Sequence, residues 1–177
     1  MHRRLAAMVV VTAIGCGAPD GREDTGQRDA PIALMDPEAL APIEAAVDPL
    51  ARHRPPSVDC PDAAWGEEGG GFEVQTGVCN YAAFAHPLDT PLFAGDEIEI
   101  LIWHDLLDAV EPGIGHVAVS LGEDVIWEAE VAIPASSAAL QATVSLDTAP
   151  PVGAPLGLHL HNHGFNSWRF VSVEVLP

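Results

Sequence analysis

The sequence has no lysine, and its seven basic residues, all arginine, face 26 acids, giving a formal net charge of −19. Polyanions are held by several Lys or Arg that displace phosphate counterions, so a nucleic-acid partner is excluded. Aromatic residues are few, and none precedes Trp65. Long apolar runs are missing as well. The run from Leu5 to Ile14 falls short of the ~20 residues that cross a bilayer. Also missing are a Gly-x-Ser-x-Gly elbow and a Gly-rich phosphate loop. No catalytic residue is assigned, although 18 acids from Ser57 onward leave carboxylate pairs as one chemistry the composition permits. Only three cysteines occur, an odd number that needs dividing.

The two ends of the chain differ in composition. Residues 1–15 open with His2, Arg3 and Arg4, continue with the short apolar run, and end at Gly15 before Cys16. This is the three-part pattern of an export signal. The segment Ala13-Ile14-Gly15-Cys16 resembles a bacterial lipoprotein signal, which implies that Cys16 is lipidated and begins the mature chain. An ordinary secretory signal is the alternative. Gly17, not Asp, follows the cysteine, and by resemblance to the sorting rule of enteric lipoproteins this favours the outer membrane of a bacterial envelope. Residues 16–56 are rich in Ala, Pro, Asp and Glu and have no aromatic residue. They bury too little apolar area to offset their ordering entropy and are expected to form a disordered linker. A short helix over 37–47 is compatible with Asp36 as its cap and Pro37 in its first turn.

Residues 57–177 hold every aromatic residue, 18 acids and one base, Arg169, for a net of −17. With Cys16 lipidated, Cys60 and Cys79 remain to form a disulfide in an oxidising compartment. Within this segment apolar residues recur at every second position. Ile98, Ile100 and Ile102 alternate with Glu97, Glu99 and Trp103; Val117, Val119 and Leu121 precede the turn Gly122-Glu123-Asp124 and a return strand, Val125 to Ile133. Similar alternation near Phe72–Thr76, Cys79–Phe84, Ala142–Leu146, Leu156–His163 and Trp168–Leu176 brings the count to about eight strands. Gly69-Gly70-Gly71 reads as a flexible entry to the first of them. The expected fold is all-β, a two-sheet antiparallel sandwich of jelly-roll type, with an immunoglobulin-like topology as the alternative. The last hairpin, from Leu156 through Asn162, Asn166 and Trp168 to Val175, resembles the closing strands of galactose-binding-like jelly rolls.

Two groups of residues carry candidate chemistry. His159, His161 and His163 lie two apart on one strand, so their imidazoles share a face. With His116, or with Glu99, Glu128 or Glu130 from a neighbouring strand, they could chelate Zn²⁺ or Cu²⁺. Acid clusters could hold Ca²⁺ through oxygen, though no EF-hand-like loop is present. The second group is aromatic and amide: Trp103, Trp168, Asn162 and Asn166. Sugar C–H faces stack on indole rings while hydroxyls pair with amides and carboxylates. His104, at the end of the Ile98–Ile102 apolar face, is expected to hold the strand end through a carbonyl or a carboxylate such as Asp105 or Asp108. Three readings follow. The first is a lipid-anchored, non-catalytic binding module for a glycan or an envelope protein; the second is a metal-binding protein or metalloenzyme; the third is a structural envelope lipoprotein.

Overall fold

The computed structural model describes residues 28–162 and 164–177; the expected export signal, Cys16 and His163 lie outside them. Eleven antiparallel strands are formed: β1 (Ile32–Ala33), β2 (Ala41–Pro42), β3 (Trp65–Glu68), β4 (Gly71–Gln75), β5 (Tyr81–Pro87), β6 (Glu97–His104), β7 (Gly113–Leu121), β8 (Asp124–Ile133), β9 (Ala138–Ser145), β10 (Pro155–His161) and β11 (Ser167–Val175). One sheet runs β3-β4-β11-β6-β9, with β1 added against β11; the other runs β2-β5-β10-β7-β8. The eight longer strands, β4 to β11, pass from sheet to sheet at every connection except the β7–β8 hairpin. Strand orders 4-11-6-9 and 5-10-7-8 are those of a jelly roll, which selects it over the immunoglobulin-like alternative.

Period two decides what lies between the sheets. Ile98, Ile100 and Ile102 of β6, Leu156, Leu158 and Leu160 of β10, and Phe170, Val173 and Val175 of β11 all point inward and are buried. Phe72 and Phe84 meet across the gap at 4.8 Å between ring centres, with Trp65 packed on Phe84 at 4.7 Å. His104 points inward as expected. Its Nδ1–H donates to the Asp105 carbonyl at 2.9 Å, and its ring lies 4.8 Å from that of Trp168.

Three expectations are corrected. Gly69 and Gly70, with φ of 62° and 84°, form a tight two-residue turn joining β3 to β4, not a flexible entry. Both positions need the left-handed backbone that glycine adopts without strain. The linker reading fails for residues 28–56, which pack on the sandwich. Arg28 forks onto Asp96 at 2.7 and 3.0 Å. β1 then joins the six-stranded sheet and β2 the other, while Leu34, Met35 and Leu40 enter the core. Two turns with β2 between them, not a helix, occupy 37–47; the Asp36 carboxylate accepts the Glu38 N–H at 3.0 Å and closes the first turn. Prolines do not prevent this docking, because an edge segment such as Ala41–Pro42 leaves one side of its backbone unpaired. No helix among the described residues is long and apolar enough to cross a membrane.

Candidate functional site

The two outward sheet faces carry the polar and aromatic side chains that alternation leaves outside. On the six-stranded sheet, Trp103 sits in register with Arg169 of β11 and Ala139 of β9, and Arg169 with Glu73 of β4. The Trp103 indole is 40% exposed, and its Nε1–H donates to the Asp105 carboxylate at 3.1 Å, which fixes the ring plane. On one flank the Arg169 guanidinium bonds Glu73 at 2.8 Å, and Ser167 Oγ donates to the same carboxylate at 2.8 Å. Burial pushes the Glu73 carboxyl up, but the bonds from Arg169, Glu68 and Ser167 outweigh it and hold that group below the ordinary range. Glu68, which shares a hydrogen bond with Glu73, is raised. On the other flank Ala139 leaves the ring edge open, and Gln141 Nε2 donates to Glu99 at 3.1 Å nearby. The result is an ordered aromatic plate bordered by acids, an amide and one guanidinium.

Two of the three remaining residues of the aromatic and amide group are buried. Trp168 is 0% exposed and fills the core. Asn162 is buried and donates from Nδ2 to the Gly164 carbonyl at 2.8 Å. Asn166 has φ of 130°, and its carbonyl accepts from the backbone N–H and hydroxyl of Thr76, so it forms the β10–β11 turn. Burial removes Trp168 and Asn162 from the expected ligand set, whereas Asn166 is half-buried and the turn uses its backbone. A Trp on the same side of β11 as Phe170 and close to Val173 belongs to the apolar interior, whereas Trp103 alternates with Ile100 and Ile102 and faces out. The disulfide Cys60–Cys79 is formed, with Cα atoms 4.0 Å apart.

On the five-stranded sheet the outward positions are small: Ala83 on β5, Ala118 and Ser120 on β7, Gly157 on β10. Residues 43–54 lie across this trough as a strap. Leu50, 1% exposed, is its buried apolar contact. Asp48 is buried with it; its carboxylate accepts the Leu50 N–H at 2.9 Å and the Tyr81 hydroxyl. Arg54 covers the Tyr81 ring with its guanidinium 5.1 Å from the ring centre. Burial, with Asp48 beside it, raises the Tyr81 phenol far above its ordinary value and keeps it a donor.

The strap ends in the 3-10 turn Ala51–His53, which lays the His53 ring on that of His116, parallel within 15° at 4.2 Å. His159 stands edge-on to both, at 5.6 and 5.1 Å. Of the expected histidine set, His116 and His159 thus come together. His161 follows His159 on β10, beside Tyr81 at 5.8 Å. Glu128 contacts His116, whereas Glu99 lies on the other sheet. Sequence reasoning missed His53, because it sits in the supposed linker. Burial, then the neighbouring His116 and His53, pushes the His159 imidazole down to about 2. Burial and His116 likewise lower His53.

No family model matches the chain, and no curated protein matches it in sequence. Among solved structures it is similar to a CBM4 module at 12% identity, covering 84% of this chain and 96% of that one with a TM-score of 0.47. It is similar to a family 11 carbohydrate-binding module from Clostridium thermocellum, in complex with a mixed-linked tetrasaccharide, at 14% identity, 63% and 78% coverage and a TM-score of 0.34. An apo cyclase from Fischerella sp. is similar at 11% identity, 88% and 91% coverage and a TM-score of 0.43. Binding modules and an enzyme stand side by side at these scores, so the likeness selects no function.

Proposed function

We propose that the chain is an exported, lipid-anchored, non-catalytic binding module that holds a glycan on the outer face of its six-stranded sheet. One observation carries this reading: the Trp103 ring, open to solvent and fixed by Asp105, among groups that can pair with hydroxyls. The C–H face of a sugar fits such a plate, and Gln141, Glu99 and Arg169 lie where its hydroxyls would reach. The acid excess favours a neutral glycan, since a polyanionic one would be repelled. The test is affinity electrophoresis of the purified chain through gels holding single neutral polysaccharides. At least one is expected to retard the wild type, with Trp103→Ala weakening binding about tenfold, the loss of about 1.4 kcal/mol. Retardation by none, or equal retardation of Trp103→Ala, refutes the reading.

Export and anchoring rest on the signal pattern before Cys16 and on the Cys60–Cys79 disulfide, which suits an oxidising compartment. In a bacterial host, growth with an alkyne fatty acid is expected to label the wild type and leave Cys16→Ala unlabelled. Equal labelling of both would remove the anchor.

A further inference from the structure

Three imidazoles meet where the strap crosses the five-stranded sheet, and their ring nitrogens are poorly provided for. His53, His116 and His159 each offer a nitrogen, and these three atoms lie within 4.8 Å of one another. His159 is 5% exposed, yet neither of its ring nitrogens has a hydrogen-bond partner among the described residues. His116 is also buried, and its Nδ1 is likewise unpartnered. A buried polar atom without a partner is costly, and such atoms are rare in folded proteins unless a water or an ion serves them. Three converging nitrogens in one place call for a single species that accepts several lone pairs at once.

The His116 tautomer follows from its surroundings. Its Nε2 lies 3.0 Å from Glu128 Oε2. A carboxylate only accepts, so Nε2 carries the proton and Nδ1 presents a lone pair. Glu128 thereby does what outer carboxylates do around histidine ligands: it fixes the ring and raises the basicity of the opposite nitrogen. His116 and His159 come from adjacent strands of a rigid sheet, while His53 comes from a half-buried turn of the strap.

We propose that His53, His116 and His159 form a binding site for one divalent transition-metal ion, Zn²⁺ or Cu²⁺. All three donors are nitrogen, which suits these ions and disfavours Ca²⁺ and Mg²⁺, whose ligands are oxygens. Bonds of about 2.0–2.1 Å at tetrahedral angles set nitrogens ~3.4 Å apart. His53 closes the difference, because its turn lies at the protein surface and the other two ligands are fixed by the sheet. Three protein ligands leave a fourth position for solvent. The ion ties the strap to β7 and β10, so it is a fastener for the N-terminal segment and independent of the Trp103 face. His161 lies outside the ligand set, although sequence spacing alone pairs it with His159.

The test uses the full chain, freed of metal with EDTA and dialysed. Titration with ZnCl₂ and with CuCl₂, followed by calorimetry and elemental analysis, is expected to give one ion per chain. His53→Ala and His159→Ala should each weaken binding at least tenfold, Glu128→Gln should weaken it about tenfold, and His161→Ala should leave it unchanged. Because His53 sits on a surface turn, His53→Ala keeps the fold, which circular dichroism verifies. The Cu²⁺ spectrum in electron paramagnetic resonance should show nitrogen coupling that diminishes in His53→Ala. Amides of residues 43–54 should exchange more slowly when Zn²⁺ is present. No ion at stoichiometry, or binding untouched by His53→Ala and His159→Ala, overturns the proposal; so does loss of binding through His161→Ala alone.

Discussion

Replacing Cys60 and Cys79 together with alanine is expected to lower the unfolding free energy by about 3 kcal/mol, the chain-entropy value for a loop of some twenty residues. The loop is more than a stretch of chain. Between the two cysteines lie the 3-10 turn Asp62–Ala64 and the whole β3–β4 hairpin, which is the outer edge of the six-stranded sheet. Among the described residues β3 has one strand neighbour, β4. It is held further by Trp65, packed on Phe84, by Glu68, 3.7 Å from the Arg169 guanidinium, and by the disulfide at Cys60. The double variant leaves no free thiol behind, so the comparison isolates the cross-link. Urea unfolding of both proteins measures it, with the midpoint falling and the slope rising slightly as the uncrosslinked denatured chain expands. A loss under about 1 kcal/mol would mean that the Trp65, Phe72 and Phe84 rings hold the hairpin unaided.

Leu50→Ala should remove about 2–5 kcal/mol, the range for truncating a buried leucine. The loss should fall on one piece of the molecule. Leu50 anchors the strap over Ala83, Ala118 and Gly157, while the sandwich beneath is held by the inward-facing leucines and isoleucines of other strands. Native-state amide exchange is therefore expected to speed up across residues 43–54, with the core amides of β6 and β10 little changed. Both hydroxyl partners of Tyr81, the Asp48 carboxylate and the residue-50 carbonyl, survive the substitution, so Tyr81 is uncovered only when the loosened strap lifts. Equal acceleration in β6 and β10 would show instead that strap and sandwich unfold as one unit.

Most of the fold was legible because alternation is a strong code. Eight strands, their faces and the inward His104 follow from residues two apart, and the disulfide follows from what remains once Cys16 is set aside. Reading residues 28–56 from composition failed for a physical reason. Whether a segment can offset its ordering entropy depends on the surface it meets, and that surface belongs to other strands. A trace of it was present in Tyr81-Ala-Ala83-Phe84-Ala85, where the outward positions Ala83 and Ala85 are small and apolar. Ala118 and Gly157 repeat the theme on neighbouring strands. A sheet face built of such residues is not dressed for water and calls for a cover. The candidate sites divide the same way. Trp103 was assignable from its parity, whereas His53 required knowing that the strap returns across β7 and β10.

The hold of Arg28 on Asp96 fixes residue 28 beside the start of β6. Asp96 immediately precedes β6, and Trp103 lies near the far end of that strand, a span of about 23 Å at ~3.3 Å per residue. Under the anchoring proposed above, the sandwich would be held from the Asp96 end of β6, with the indole toward the other end of that strand. A ligand on Trp103 would then lie away from that attachment, with the length of β6 as a spacer.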